Sequence, residues 1–521
     1  MNDQKKTGSY YTPHKLVEFM IDYLKREEQD FTTVLEPSAG DGRFLSLLLP
    51  ESGHIDAVEL SVEKTREIRE EYQQVNLAVY QKDFMEYVTC CKERYSLVVG
   101  NPPYISRKVM KEEQIETAKQ LCKDSGLTES AMQNMWLAFV VGAQQVLRKT
   151  GTIFFVLPME FLQVQYAEKL RRHLENHFNT IHVVSFEERV FADIEQDVCL
   201  VYLTNRPEAQ NHILYRIYRS TDAREPVNVN IIRKNKPLKK WSNAILRDDE
   251  ISMLKGMSQK YARIDTMGMI APGIVTGGNK YFILTEEKVK ELECGSFVLP
   301  ILQKSSYINN DTIMIDSEVI KRIKEEGKPL YLLNLAKVSE TLPKKLQQYL
   351  KKAGDELIGE LKLKEHFKCA NRTPWYGVPI VNKGQVVFFK RYGKVPRIYI
   401  NRENIHTTDA GYHIQMKEEY EAESLVFCFF NSMTLAECEY NGRYYGGGVS
   451  ELTPSEFKKL PIPYRKIAKN DIDKLDEKLK KKDSLENIIQ FVNQKTICED
   501  MFKEEVDKFE EIRVKLVRRR S

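Results

Sequence analysis

The chain of 521 residues has no apolar run long enough to cross a membrane and no signal-peptide pattern at its start. Its nine cysteines are scattered without a CxxC pair, and the adjacent pair at 90–91 is poorly placed to form a disulfide. These absences argue against a membrane protein, a disulfide-rich secreted domain and a structural zinc site. We therefore expect a cytoplasmic protein with no membrane contact and no metal. Two or three domains are expected, because one core rarely serves so long a chain.

The net charge of +4 is unevenly distributed along the chain. Residues 1–205 carry 23 basic and 31 acidic side chains, whereas residues 206–521 carry 56 basic and 44 acidic ones. A basic half joined to an acidic half predicts that the basic half meets a polyanion. A lysine-rich surface without such a partner would give the same balance, so charge alone leaves both interpretations open.

The most informative stretch is the tetrapeptide NPPY at residues 101–104, which follows an apolar run at 95–99. The run predicts a short buried strand that stops at Gly100, because two successive prolines allow neither a helix nor a paired strand. Ligands bind at the carboxyl ends of strands in open α/β sheets. There, the Asn101 side-chain oxygen and the Pro102 carbonyl could each accept a hydrogen from an exocyclic amine, and Tyr104 could stack on a planar base. A proline-stiffened surface loop is the alternative explanation.

Acidic residues upstream of this stretch are also predicted to lie at strand ends. A strand at 33–35 is followed by a glycine-rich turn at 36–42 and a helix, which is typical of nucleotide-binding folds. The turn has neither GxGxxG spacing nor a Walker lysine, and Glu36 suits a ligand that carries a cation. Glu59 ends the second strand, where it could accept hydrogen bonds from both ribose hydroxyls. After the third strand, Asp83 could accept from an adenine amine.

The strands alternate with helices up to about residue 205, which predicts a doubly wound α/β sheet of seven strands. At the start, Thr12 is a plausible helix N-cap before a proline in the first helical position. Phe84 is placed to cover an adenine ring, and Phe191, in a loop between the last two strands, is expected to be an exposed aromatic at the base pocket. The predicted strands are residues 33–35, 55–60, 77–80, 95–99, 152–157, 181–184 and 198–203.

In their order along the chain, the motifs resemble those of the gamma-class N6-adenine DNA methyltransferases of type II restriction–modification systems. The resemblance covers residues 7–205 and implies a class I methyltransferase sheet with S-adenosylmethionine as its cofactor. It implies cofactor contacts from Thr12, Glu36, Pro37, Ser38, Gly40, Gly42, Glu59, Leu60, Asp83, Phe84, Asn101, Pro103 and Phe139. It implies catalytic roles for Asn101, Pro102, Pro103 and Tyr104, with Phe191 stacking on the target base.

The reaction implied by this resemblance is site-specific methyl transfer to the N6 amino group of an adenine rotated out of duplex DNA. Asn101 and Pro102 would orient the amine and stabilise the charge that develops on it, so neither a covalent intermediate nor a deprotonating base is needed. The enzyme would protect host DNA in a restriction–modification system. Any cognate endonuclease would be a separate protein, since no PD…ExK cluster is convincing, and a monomer is the default expectation.

Residues 206–464 are expected to form an α+β target-recognition domain that contacts double-stranded DNA. Residues 271–280 form a glycine-rich segment similar to one in this family, and residues 371–376 and 390–392 interleave basic and aromatic side chains. Ordinary loop packing would explain each of these segments equally well. Residues 465–521 predict a charged helical C-terminal segment, with apolar stripes that suggest a helical hairpin.

Two other functions remain open on sequence alone. The NPPY pocket could hold a glutamine side chain of a protein or a base of RNA, because both present an NH₂ group to the same two acceptors. A DNA-binding subunit with an inactive sheet domain would not need the acidic residues Glu36, Glu59 and Asp83.

Overall fold

Two units share the chain, each with its own sheet and hydrophobic core. The computed structural model describes residues 11–129, 132–188, 190–191, 197–206, 212–233, 238–308, 311–338, 340–445 and 448–519. The first unit comprises Met1–Ile251, Arg443–Gly447 and Arg518–Ser521, and the second comprises Ser252–Gly442 and Gly448–Val517.

The first unit alternates strands and helices. Its helices are α1 His14–Arg26, α2 Arg43–Leu48, α3 Val62–Glu71, α4 Phe84–Cys90, α5 Glu112–Asp124, α6 Met135–Val146 and α7 Glu168–His177. Its strands are β1 Thr33–Glu36, β2 His54–Glu59, β3 Leu77–Gln81, β4 Tyr95–Gly100, β5 Leu147–Pro158, β6 Thr180–Phe186, β7 Val198–Thr204, β8 His212–Tyr218 and β9 Asn228–Arg233.

In the described residues, these nine strands form one sheet in the order β3-β2-β1-β4-β5-β7-β6-β8-β9. Strands β1 to β5 pair in parallel, and β7 runs antiparallel between β5 and β6. The predicted doubly wound α/β fold is thus confirmed, and all seven predicted strands are present. The sheet does not end near residue 205, however, because β8 pairs in parallel with β6 and β9 pairs with β8.

Strand β4 is covered on both faces, which explains its unbroken apolar sequence. All six of its residues are buried. Leu97 and Val99 belong to a core cluster that also contains side chains of α1 and α2, whereas Val98 between them must point to the opposite face. A strand buried on both sides has no polar alternation, as is typical of parallel sheets.

Helix α1 begins one residue later than the sequence suggested. Its N-cap is Pro13, with φ −56° and ψ 138°, and the cap has no side-chain hydrogen bond. The prediction of Thr12 as the N-cap is therefore wrong. Thr12 is buried, and its hydroxyl is used elsewhere, in a contact with the NPPY segment.

Two later segments of the chain return to the first unit. Gln163 Oε1 accepts from the Tyr444 backbone N–H at 3.0 Å, and Gln163 Nε2 donates to the Tyr444 carbonyl. Arg519 donates to the Ser242 carbonyl at 3.1 Å and to Asn243 Oδ1 at 2.6 Å. The Arg519 guanidinium also lies 4.9 Å from the ring centroid of Tyr444. The first unit is thus assembled from three separate parts of the sequence.

The second unit has mixed α and β structure. After α8 Asp248–Lys260, which crosses the boundary, its helices are α9 Ile264–Met267, α10 Asn279–Phe282, α11 Glu286–Glu291, α12 Ser317–Glu325, α13 Lys344–Asp355, α14 Phe367–Ala370, α15 Ala422–Phe429, α16 Ser432–Asn441, α17 Pro454–Phe457, α18 Lys469–Lys480, α19 Leu485–Lys495 and α20 Lys503–Arg518. Its strands are β10 Gly268–Pro272, β11 Ile283–Leu284, β12 Val298–Leu302, β13 Met314–Ile315, β14 Tyr331–Leu333, β15 Leu357–Ile358, β16 Leu361–Lys362, β17 Val386–Phe389, β18 Arg391–Tyr392, β19 Ile398–Asn401, β20 His406–Thr407 and β21 Gly411–Met416; β22 Arg443–Tyr445 lies in the first unit, and β23 Val449–Glu451 follows in the second.

Strands β10, β21, β17, β19 and β13 form the larger sheet of the second unit, and β11, β14, β12 and β20 form a smaller one. The C-terminal helices α18 and α19 bury their apolar stripes in the core beneath the larger sheet, since Leu475 and Ile489 share a cluster with Phe388 of β17. The helical character predicted for the C-terminal segment is present. Its apolar stripes pack on the second unit's sheet as well as on each other.

All nine cysteines are free thiols. Across the described parts of the chain, the structure contains no helix with the length and apolarity needed to span a bilayer.

Candidate active site

The NPPY segment leaves the sheet where the strand order reverses direction. Strands β1 and β4 are neighbours at the sheet centre, with β2 and β3 on one side and β5 on the other. Loops after such strands diverge, and the crevice between them is the usual ligand site of an open α/β sheet. Asn101 follows β4 directly, and Pro37 follows β1. The two loops therefore meet at one edge of the sheet, as the sequence predicted.

The Asn101 amide is held by residues from two other segments. Asn101 Nδ2 donates to the Thr12 hydroxyl oxygen at 3.1 Å, and Ser38 Oγ donates to the Asn101 backbone carbonyl at 3.1 Å. Thr12 is itself fixed, because its carbonyl accepts from Arg43 Nη1 at 2.9 Å and Arg43 is paired with Asp41 at 2.7 Å. These contacts set the rotation of the amide about its side-chain bonds.

A cavity of about 430 Å³ opens beside this amide. It is lined by twelve of the predicted site residues: Pro37, Ser38, Gly40, Glu59, Leu60, Asp83, Phe84, Asn101, Pro102, Pro103, Tyr104 and Phe139. Four other predicted residues, Thr12, Glu36, Gly42 and Phe191, lie outside its lining. The structure thus brings most of the sequence motifs to one cavity although they span more than a hundred residues of chain.

Glu59 at the end of β2 orders the glycine-rich turn. Glu59 Oε2 accepts from the Gly40 backbone N–H and Oε1 accepts from the Ser61 N–H, both at 2.8 Å. The carboxylate therefore closes the turn and lines the cavity at the same time. Gly42 has φ +77° and caps α2, and a Cβ there would meet the Tyr72 ring at 2.9 Å, so this position requires glycine.

Asp83 and two aromatic rings form another wall. Asp83 is the N-cap of α4, with Oδ1 accepting from the Met85 N–H at 2.8 Å, and its Oδ2 accepts from Gln114 Nε2 at 2.8 Å. The rings of Phe84 and Phe139 lie 4.7 Å apart between centroids at 35°. This wall combines an acceptor with an apolar surface, the combination that binds a flat, amine-bearing ring.

Glu36 lies beneath the cavity, directly before the lining residues Pro37 and Ser38. It is 1% exposed, and its Oε2 is buried with no hydrogen-bond partner. Burial, with Glu59 and Asp41 nearby, raises the pKa of Glu36 well above its ordinary value. A buried carboxylate of this kind favours a cationic group close by.

Tyr104 contributes one face to the cavity, and Phe191 does not. The Tyr104 hydroxyl donates to the Val156 carbonyl at 3.2 Å, and burial raises its pKa well above the usual value. Phe191 is 5% exposed and packs in the core cluster of α1 and the sheet, where Tyr104 also packs. The expectation that Phe191 is exposed is wrong, because its ring fills the core beside β7. Its stacking role stays a prediction.

Sequence reasoning missed several lining residues, most of them in the segment after NPPY. The missed lining residues are Ser61, Lys82, Ile105, Val109, Lys111, Gln114 and Met135; Tyr11, which adjoins the predicted contact Thr12, also lines the cavity. Gln114 opens α5 in a capping-box arrangement, since its Oε1 accepts from the Lys111 N–H at 3.2 Å. A glutamine three residues after the cap position was the available signal.

In the second unit, two segments predicted to meet nucleic acid are tied into the fold. Arg372 donates to the carbonyls of Val275 at 2.8 Å and Thr276 at 2.6 Å, which closes the glycine-rich segment. Lys280 on that segment is exposed and pairs with Glu356 at 3.1 Å. Arg372 therefore has a structural role, and Lys280 remains accessible.

Two family descriptions match this sequence. "Eco57I restriction-modification methylase" matches residues 36–191, and "Type II methyltransferase M.Eco57I, C-terminal domain" matches residues 238–497. The first match includes most of the cavity residues, from Pro37 to Phe139. The second spans most of the second unit.

Individual relatives agree with these matches. The chain is 23% identical to the type II methyltransferase M.AccI of Acinetobacter calcoaceticus over 495 residues, covering 88% of this chain and 86% of the relative. It is 21% identical to the type II methyltransferase M.XamI of Xanthomonas campestris pv. amaranthicola over 490 residues, covering 88% and 85%.

A solved structure shares the fold. The type IIL restriction-modification enzyme MmeI, solved in complex with DNA, matches with a TM-score of 0.57 and 12% identity, covering 96% of this chain and 75% of that one. From the two family matches and the two relatives of similar length, the chain belongs to the Eco57I family of restriction–modification methylases and is a type II methyltransferase.

Proposed function

We propose that this enzyme transfers a methyl group to the N6 amino group of an adenine flipped out of duplex DNA. The observation that carries the proposal is the Asn101 amide at the cavity edge. Its rotation is fixed by the 3.1 Å hydrogen bond to Thr12, and Pro102 and Tyr104 line the cavity beside it. An amide oxygen and a prolyl carbonyl that follow each other in sequence form a pair of acceptors suited to an NH₂ group.

The cofactor of this family, S-adenosylmethionine, supplies an electrophilic methyl group when bound. The cavity residues suit its parts: Glu59 is an acceptor for ribose hydroxyls, and Asp83 with Phe84 and Phe139 suits an adenine. The partnerless, buried Glu36 oxygen suits the cationic end of the molecule. Gly40, whose absent Cβ would meet nothing closer than the Tyr11 ring at 3.8 Å, leaves room for close approach.

In the proposed reaction, Asn101 and Pro102 each accept one hydrogen of the substrate amine. Accepting both hydrogens draws the nitrogen lone pair out of conjugation with the ring and directs it towards the methyl donor. The same two acceptors stabilise positive charge on nitrogen as the new bond forms, and the methylated nitrogen then loses one proton to water. Tyr104 offers a ring face to the base, and each base–aromatic stack contributes about 1–3 kcal/mol, which offsets the few kcal/mol needed to flip a nucleotide.

Duplex DNA is the substrate that the comparisons favour. The relatives of similar length are named type II methyltransferases, and the structural neighbour MmeI was solved with DNA. The basic half of the chain adds an excess of 56 basic over 44 acidic side chains in residues 206–521. A basic surface of this kind raises the association rate with a polyanion.

Product analysis after methylation with isotopically labelled cofactor tests the proposal. Mixed duplex DNA, RNA and a glutamine-containing protein are incubated with the enzyme, digested and analysed by mass spectrometry. We expect label only in N6-methyldeoxyadenosine. Label in a cytosine, in RNA or in glutamine would overturn the proposal. Asn101→Ala should abolish label transfer while S-adenosylmethionine still binds in calorimetry.

We also propose that the enzyme acts as a cytoplasmic monomer and protects host DNA from a separate restriction endonuclease. The full-length relatives named above are described as methyltransferases only. Light scattering with and without DNA tests the monomer, and single-molecule sequencing of host DNA tests for a protected site.

A further inference from the structure

A second cavity, of about 390 Å³, lies in the second unit and has no part in the proposed reaction. Its walls come from the end of β17, strand β18, the loop to β19, and β19 itself, with one residue from a distant turn. The lining residues that matter are Arg391, Lys394, Arg397, Tyr392, Tyr399 and Ser305. Three of these six side chains are cationic, and they lie within seven residues of sequence.

The charges that line the cavity are all positive. In the described residues, no carboxylate belongs to the lining. Carboxylates outside the lining also act on the cluster: Glu451 pairs with Arg391 at 3.0 Å, and Asp311 acts on Arg397. Asp311 is shared with a further cation, since it pairs with Arg322 at 3.4 Å.

Arg397 is the deepest of the three cations. It is partly buried, and this burial lowers the pKa of its guanidinium. The rings of Tyr392 and Tyr399 are 7% and 1% exposed, so these two side chains of the lining are packed into the fold. A cation with reduced hydration gains more from an anion than one in open water. Lys394, by contrast, is exposed on the loop.

We propose that this cavity binds a phosphate of the duplex DNA backbone. Arginine and lysine are the usual donors to phosphate oxygens, and the Ser305 hydroxyl adds a neutral donor. The volume holds a phosphate together with part of an adjoining sugar, and no base needs to enter. The contact positions the duplex on the second unit without reading sequence. This inference rests on the proposed function, because it takes duplex DNA as the partner.

The test compares three charge-neutralising variants for their affinity for duplex DNA. Lys394→Gln removes an exposed cation of the cavity, and Arg397→Gln removes the partly buried one. Lys321→Gln is the control, because Lys321 lies on α12 outside the cavity and is 78% exposed beside Glu325. Each protein is titrated against a fluorescent duplex over a range of salt concentrations, and thermal melting confirms that each is folded.

Loss of one phosphate contact lowers the magnitude of the slope of log affinity against log salt by about 0.9. Between 50 and 200 mM salt, the fall in DNA affinity should therefore be roughly 3.5-fold smaller for such a variant than for the wild type. We expect this change for Lys394→Gln, and for Arg397→Gln if it folds, but not for Lys321→Gln. The loss should be uniform across DNA sequences. Slopes equal to that of Lys321→Gln would overturn the proposal.

A free phosphate ion could make the same contacts in this cavity as a phosphate of DNA. Inorganic phosphate is compared with chloride at equal ionic strength in thermal melting of the wild type and of Lys394→Gln. Stabilisation by phosphate that Lys394→Gln loses, with unchanged DNA affinity, would overturn the assignment to DNA. These readouts do not depend on methylation, so a protein that bound DNA as expected but methylated another base would contradict the proposed function alone.

Discussion

Thr12→Val separates positioning of the Asn101 amide from cofactor binding. Valine keeps the buried shape of threonine and replaces the hydroxyl by a methyl group, so the Asn101 Nδ2 donor loses this partner. The Thr12 carbonyl still accepts from Arg43, because that contact involves the backbone. The change therefore removes one hydrogen bond of 3.1 Å and leaves the surrounding fold in place.

The size of the effect follows from that single bond. A neutral hydrogen bond contributes about 0.5–1.5 kcal/mol. If this energy holds the amide in its productive rotation, its loss lowers the productive fraction by roughly 2- to 12-fold, and kcat should fall by the same factor. If the substitution also shifted the backbone, kcat would fall further, by up to about 100-fold.

Steady-state kinetics with a DNA substrate, together with calorimetric titration of S-adenosylmethionine, measures both parts. We expect kcat to fall and the cofactor Kd to change little, while Thr12→Ser restores kcat because it restores the hydroxyl. The reasoning would be refuted if Thr12→Val kept a wild-type kcat but lost cofactor affinity. Thr12 would then contact the cofactor alone.

Three further predictions concern stability. Gly42→Ala should destabilise the fold by about 1–3 kcal/mol in denaturant titration, because of its φ of +77° and the ring 2.9 Å from the new Cβ; Gly126→Ala, with φ +73° and nothing within 4 Å, should cost less. Burial lowers the pKa of His182 to about 2, so below about pH 6.5 only the unfolded chain is protonated at this residue. The free energy of unfolding should therefore fall by up to ~1.4 kcal/mol per pH unit as the pH drops. His182→Gln should flatten that pH dependence, and an unchanged slope would contradict this role of His182. Burial raises the pKa of Glu36, so its ionisation opposes folding as pH rises above the usual carboxyl range. Glu36→Gln should therefore raise the Tm of the cofactor-free protein at neutral pH, whereas in acid its Tm should match that of the wild type. A Tm below that of the wild type at neutral pH would argue against this.

The central strands and the cavity wall could be predicted because their signals are local. A buried strand broken by two prolines at 102–103 is visible in any window of ten residues. The hydrogen bond between Asn101 and Thr12 could not be predicted, since 89 residues separate the partners and only the folded sheet brings them together. The burial of Phe191 was equally inaccessible, because an aromatic in a loop reads as exposed until the core beside it is known.

Helix α5 was missed for a related reason. Only Ala118, Leu121 and Cys122 are buried in it, so its apolar stripe is too narrow to stand out from a polar loop. Strands β8 and β9 lie beyond residue 205, where the sequence predicts the end of the sheet. Sequence gave no sign that they extend the large sheet, because pairing partners in a sheet are set by tertiary contacts.

The three-part construction of the first unit limits how the enzyme can be divided. A gene fragment ending at residue 251 would lack the strand carrying Tyr444 and the arginine that caps it, and so would leave Gln163 and Ser242 without their partners. Exchange of the second unit between relatives would therefore have to keep both returning segments with the first unit. In this architecture, any segment exchanged between relatives has to be inserted between fixed ends.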